Sequence, residues 1–369
     1  MPVPLLDLTR QYEPLREEIR QAVDRVCDSQ RFILGAEVED FEREAATALD
    51  TTYAVGVTSG TDALLVALMA LGIGQGDEVV LPTFTFFATA GVVARLGATP
   101  VFVDVDPVDY CMDPRELRAR IGDRTRAIVP VHLFGQAAAM DEIMEAAGSI
   151  PVVEDCAQAW GATFNGMQVG SIGAMGAFSF FPSKNLGCFG DGGLVTTADS
   201  EVDRSLRELR IHGQSGPYRH PVVGGNFRID SLQAAILRVK LPHVLSWIEG
   251  RRANADRYRR LFTNAGLEHT VGLPVAVEDR GHTFNQYVIR APRRDELRTY
   301  LADRGIGVAV YYPLPLHRQP CFEGLGYGEG DFPVAEQASR EVLALPIFPE
   351  LGESEQEEVV RAIEEFYAN

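Results

Sequence analysis

The chain has 369 residues, of which 46% are hydrophobic and 23% charged, and its net charge is -18. That is enough apolar material for a large core plus a second, smaller one. The acidic balance argues against nucleic acid and anionic membrane surfaces as partners, and no apolar run approaches the length of a membrane span. The opening stretch MPVPLLDLTRQYEPL lacks a basic region followed by an apolar one, so no signal peptide is expected and the expected compartment is the cytoplasm. The cysteines (27, 111, 156, 188 and 321) are odd in number and lack metal-ligand spacing, which fits free thiols and no metal site.

Apolar runs and helical stretches alternate over the first two-thirds of the chain. TYAVGVTS (52–59) reads as a strand and GTDALLVALMALGIG (60–74) as a helix after a tight turn. DEVVLP, TFFATAGVVARLG and TPVFVDVD read as strand, helix, strand. AIVPVHLFG, AAMDEIMEAAG and IPVVEDCAQAWG repeat that order, and GAFSFF and GGLVTT are short strands. Strands this uniformly apolar are buried on both faces, as in a mostly parallel sheet covered by helices. DSLQAAILRVKL is an amphipathic helix that Pro242 interrupts, and VLSWIEGRRANADRYRRLF continues it. Beyond it we read strand FNQYVIRA, helix RDELRTYLADRG, strand GVAVYY and C-terminal helices. The expected organisation is a large α/β domain over 1–248 and a smaller α+β domain over 249–369.

Three stretches carry chemistry. SGTDAL (59–64) joins a strand to a helix. A glycine there admits a ligand to the backbone, and the unpaired N–H groups of the first helical turn attract an anion such as phosphate. The same residues also describe an ordinary helix cap. In PVVEDCAQAWGA (151–162) an apolar run ends at Glu154 and Asp155, where open α/β sheets bind ligands; a structural ion pair is the alternative. In FSFFPSKNLGCFGDGG (178–193) a single lysine, Lys184, follows a strand and precedes Gly187, Gly190, Gly192 and Gly193. In an apolar pocket its charged form is disfavoured, which frees the amine for attack on an aldehyde; a solvated turn lysine is the bland alternative. Together the three supply an anchor for a phosphate, a carboxylate for a protonated pyridine nitrogen and an amine for an aldehyde, the requirements of pyridoxal 5'-phosphate. No GxGxxG follows the first strand, which disfavours a dinucleotide enzyme.

At these residues the chain resembles the DegT/DnrJ/StrS-type nucleotide-sugar aminotransferases, a branch of the fold-type I pyridoxal-phosphate enzymes. The likeness runs from QRFILGAEVEDFE through SGTDAL, GDEVVLPTFTFFAT, VEDCAQAWGA and FSFFPSKNLGCFGDGG to GGNFRIDSLQAAIL and VYYPLPLH. It implies that Lys184 holds the cofactor covalently, that Asp155 bonds its ring nitrogen, and that Gln158 lies near the ring hydroxyl. It further implies that Phe86 stacks on the ring, that Gly60, Thr61 and Ser179 contact the phosphate, and that Asn226 reaches the phosphate of a neighbouring subunit in a homodimer. Arg228, Tyr311, Tyr312 and His317 become candidates for substrate contacts.

The resemblance implies transfer of an amino group from L-glutamate to a nucleotide-linked keto sugar. Members acting at sugar C4 commonly carry histidine where this chain has Phe181, which directs the expectation to C3. The implied sugar is a UDP-linked 3-oxo-N-acetylglucosaminuronate or a dTDP-linked 3-oxo-6-deoxyhexose, although Tyr311 stands where uronate-using relatives can have histidine. The alternatives are C4 amination and a ligand-binding regulator on the same fold.

Overall fold

The computed structural model describes residues 2–368. Three helices open the chain: α1 (Leu8–Tyr12), α2 (Arg16–Ser29) and α3 (Ala36–Ala48). Alternation follows: β1 (Tyr53–Val57), α4 (Gly60–Ala70), β2 (Glu78–Pro82), α5 (Ala88–Arg95), β3 (Thr99–Val103), α6 (Pro114–Arg120), β4 (Thr125–Ile128), α7 (Met140–Ala147) and β5 (Val153–Asp155). A hairpin of β6 (Thr163–Phe164) and β7 (Met167–Gln168) leads to β8 (Met175–Ser179), β9 (Gly193–Thr197), α8 (Ser200–Leu209), α9 (Ser231–Lys240) and α10 (Val244–Asn264). The last elements are β10 (Tyr287–Arg290), α11 (Arg294–Asp303), α12 (Pro333–Glu341), β11 (Val342–Leu345) and α13 (Glu353–Ala368).

Local chemistry accounts for many of these boundaries. Asp7, Ser59, Asp113, Asp199 and Asp230 each cap a helix by accepting a hydrogen bond from a backbone N–H of its first turn. Pro242 has no N–H to donate, so α9 gives way to a single 3₁₀ turn, Leu241–His243, before α10 begins.

The strands form one layer. The order β3-β2-β4 is joined to β5-β8-β9-β1 through the parallel bridges Ile128–Val152 and Val131–Asp155. Neighbours are parallel except at β9, which runs antiparallel to both β8 and β1. Strands β1, β2, β5 and β8 therefore end on the same side of the sheet. A large apolar core follows this sheet, and Val244 and Ile248 of α10 belong to it. A second core gathers Val3, the later α10 residues Ala255, Tyr258 and Phe262, and side chains of β10, β11, α11 and α13. Helix α10 itself runs unbroken through residues 248 and 249. A third, smaller cluster joins α2 (Ile19, Ala22, Val26) to α9 (Ala235, Ile236, Val239).

One expected strand is absent. GVAVYY (307–312) makes only a bridge, Ala309 to Ala344, and the partner of β10 is β11 instead. The four residues of β11, VLAL, are all buried, whereas residues 308–312 are only partly so. Pro313 and Pro315 follow directly and cannot donate to a ladder.

Candidate active site

Neighbouring residues of a strand point to opposite faces, and β5 uses this to give its two carboxylates different surroundings. Glu154 is buried and fully engaged. Its Oε1 accepts from the N–H groups of Ile172 (2.8 Å) and Gly173 (2.7 Å), and its Oε2 accepts from Gly170 N–H (2.8 Å). The His132 ring takes the last position, with Nε2 3.0 Å from Glu154 Oε2. His132 Nδ1 accepts from the Ala138 N–H at 3.0 Å, so the ring proton lies on Nε2 and is donated to Glu154. Cys156 stands close enough to complete a metal-ligand triplet with these two. Glu154 and His132 are already saturated, however, and burial holds the Cys156 thiol well above its ordinary pKa.

Asp155, the last residue of β5, faces the other way. Its Oδ2 accepts from Thr89 Oγ1 at 2.8 Å and its Oδ1 from the Ala157 N–H at 3.1 Å. Burial raises its pKa, while these two bonds and the nearby Lys184 and His132 act in the opposite sense. Lys184 is half-buried in the loop between β8 and β9. Burial lowers its pKa to about 8 against the pull of the Asp155 charge. At neutral pH about a tenth of this amine is unprotonated, far more than of a free surface lysine.

Gly60 opens α4 behind the cap made by Ser59, whose Oγ accepts from the Asp62 N–H at 3.0 Å. A side chain at Gly60 would collide with Ser179, since its Cβ would lie 2.5 Å from Ser179 Cβ. The first turn of α4 and the last residue of β8 are thus in contact, with Thr61 exposed beside them. Three of the residues expected at a phosphate are in this way brought to one place.

Gln158 connects the sheet to the far side of the site. Its Oε1 accepts from Phe134 N–H at 2.6 Å and its Nε2 donates to the Tyr312 hydroxyl at 3.1 Å. The Tyr312 ring lies 6.4 Å from that of Phe86, which is exposed, and 6.0 Å from that of Tyr311. Arg228 bridges to Val57 at the end of β1, and its buried Nε has no hydrogen-bond partner. Asn226 bridges to Ile211 and is exposed.

His317 departs from expectation. It is 1% exposed, with Nδ1 2.8 Å from Thr83 Oγ1 and Nε2 3.2 Å from Glu336 Oε1. A ring with both nitrogens engaged inside the fold has none left for a sugar, so His317 is a packing residue that ties its segment to β2 and α12. Thr89, by contrast, has no role in the sequence reading yet bonds Asp155 directly. The only hint is its spacing of four from Thr85, to whose hydroxyl its own lies within 3.2 Å.

The arrangement resembles characterised proteins over its whole length. The DegT/DnrJ/EryC1/StrS aminotransferase family profile matches residues 13–364. A protein of Geobacillus stearothermophilus named as a pleiotropic regulatory protein is 50% identical over 100% of this chain and 99% of its own. The UDP-N-acetyl-3-dehydro-alpha-D-glucosamine 3-aminotransferase of Acidithiobacillus ferrooxidans is 47% identical over 96% of this chain and 95% of its own. The crystal structure of DesV from S. venezuelae in complex with a ketimine intermediate superposes with a TM-score of 0.96 at 45% identity, covering 100% of this chain and 99% of that one.

Proposed function

The chain belongs to the DegT/DnrJ/EryC1/StrS aminotransferase family, and from that membership we propose that it is a pyridoxal-phosphate enzyme moving an amino group from L-glutamate to C3 of a 3-keto nucleotide sugar. One observation carries the cofactor reading: a buried carboxylate, Asp155, is oriented by Thr89 and Ala157 and faces a lysine whose pKa burial lowers to about 8. A buried carboxylate needs a cationic or hydrogen-bonded partner, and a protonated pyridine nitrogen is one. The residues present fit the group: Lys184 for the aldehyde, Asp155 for the ring nitrogen, and Gly60, Thr61 and Ser179 for the phosphate. Phe86 supplies a ring face and Gln158 an amide near the ring hydroxyl.

When bound, pyridoxal phosphate supplies an aldehyde and an electron-accepting ring. The chain's own part is to hold and move protons. Asp155 would keep the ring nitrogen protonated, and the Lys184 amine would move a proton at the substrate carbon. Arg228, whose buried Nε has no partner, would bind the glutamate carboxylate or the sugar diphosphate. Tyr311 and Tyr312 line the sugar side.

The name of the A. ferrooxidans relative supports amination at C3 of a UDP-linked sugar. Phe181 offers no imidazole at the position expected to mark C4 enzymes, and its ring is 53% exposed. Exposed Asn226, together with the exposed apolar side chains of Tyr218, Val222 and Val223 just before it, supports a homodimer in which each subunit completes the other's site. No helix among the described residues is long and apolar enough to cross a membrane, and a cytoplasmic location is proposed with the rest.

The test is a panel of UDP- and dTDP-linked 3-keto and 4-keto sugars, read by release of 2-oxoglutarate from glutamate. Release with the 3-keto sugars is expected. Release with 4-keto sugars alone would overturn the C3 assignment. The G. stearothermophilus relative's name favours a second reading, a regulator that holds its ligand without turnover. Protein that turns yellow with pyridoxal phosphate but is not bleached by glutamate would decide for it.

A further inference from the structure

The loop bearing Lys184 leaves β8 and returns as β9. Its base is closed by Phe180 N–H to Gly192 C=O and Cys188 N–H to Phe180 C=O, both 2.8 Å. Inside it, Lys184 N–H donates to Phe181 C=O at 2.8 Å. The second of these ties Cys188 back to the end of β8, but none of them engages the flanking Gly187 C=O or Phe189 N–H.

Helix α9 does. Near its start, Gln233 Oε1 accepts from Phe189 N–H at 2.8 Å. At its end, Lys240 Nζ donates to Gly187 C=O. The two residues are seven apart, so they lie on one helix face about two turns from each other. They thus grip the loop at two points, one through a donor and one through an acceptor.

Lys240 is an unusual choice for this place. It is 4% exposed, and no carboxylate among the described residues pairs with it. Besides bonding Gly187, its Nζ stands over the rings of Phe189 and Trp247, each 5.8 Å away. An ammonium buried without a counter-ion is costly, whereas an apolar side chain would fill the same space without that cost. Stability alone therefore does not explain it. The grip also has a direct path to the amine. A side chain at Gly187 would lie 2.5 Å from Pro182 C=O, so the limb packs tightly against the turn that precedes Lys184, and a shift at one is felt at the other.

We infer that Gln233 and Lys240 of α9 are positioning residues that hold the Lys184 loop in the shape required for the covalent link. This rests on Lys184 carrying the cofactor, as proposed above. Neither residue touches the cofactor or the substrate in this account; both act through the loop.

The test compares two ligands of the apo-protein. Pyridoxal phosphate forms the link to Lys184, and pyridoxamine phosphate, which lacks the aldehyde, does not. Lys240→Met and Gln233→Leu should each weaken pyridoxal phosphate binding about tenfold and leave pyridoxamine phosphate binding unchanged. Lys240→Arg, which retains a donor, should recover part of the loss. Val26→Ala serves as the control, because it loosens the α2–α9 cluster without touching the loop; it should affect the two ligands equally. Equal loss for both ligands in the Lys240 and Gln233 variants, or no loss for either, would overturn the inference. Wild-type protein that forms no visible band with pyridoxal phosphate would instead overturn the reading on which it rests.

Discussion

The strand ends around Asp155 and Lys184 and the segment from Gly307 to His317 both frame the site, but they are built in different ways. Asp155 and Ser179 close strands, and Gly60 opens a helix, so each position is fixed by a ladder or a helical turn. The 307–317 segment has one bridge to β11 and single backbone bonds at its two ends, Gly307 N–H to Val3 C=O and Leu316 N–H to Thr83 C=O, and between them it follows its side chains. Tyr312 bonds Gln158 at the site, while His317, five residues on, bonds Thr83 and Glu336 in the interior. Regular backbone places chemical groups by period; irregular backbone places them one contact at a time.

That contrast predicts where substitutions act on chemistry and where on stability. Lys184→Ala should lower turnover about 10⁴-fold or more while pyridoxamine phosphate still binds; turnover near wild type would remove the strand-end region from the chemistry. A second test sharpens the same side. With Lys184 at about pKa 8, the amine is protonated below that pH and free above it. Capture of pyridoxal phosphate by the apo-protein should therefore slow about tenfold for each pH unit below 8 and level off above it; a stopped-flow rate that keeps rising about tenfold per unit from pH 8 to 10 would count against a lowered pKa.

The other region should answer differently. His317→Leu leaves the Thr83 hydroxyl and one Glu336 oxygen without their ring partners, and should cost about 1–3 kcal/mol of stability by urea unfolding. The turnover of the protein that remains folded should stay within a factor of about two; a selective loss of turnover would restore His317 to the site. The smallest effect is expected for Tyr312→Phe, which removes the acceptor for Gln158 Nε2. Its loss of about 0.5–1.5 kcal/mol should be seen in KM for the sugar more than in stability.

The same contrast explains what could be read in advance. The β–α alternation, the helix cap at Ser59 and the interruption at Pro242 follow from period and from single residues with one strong preference, and all three are visible in the chain as written. Tertiary choices are not. Whether β10 pairs with GVAVYY or with VLAL depends on which run becomes fully buried, and the two runs look alike in isolation. Thr89 and Lys240 are similarly hidden, since their partners, Asp155 and Gly187, lie 66 and 53 residues away. The adjacency of Glu154 and Asp155 shows two acids; which one meets the site depends on the face each is given.

That last point bears on how the chain can vary. Insertion or deletion of one residue just before β5 would keep the strand's apolar composition but exchange its faces. Glu154 would be delivered to the ligand side, and the three N–H groups of residues 170–173 would lose their acceptor. Length changes between β4 and β5 are therefore tolerable only where the α7 connection absorbs them before Val153, and a library built on this scaffold should place its insertions there.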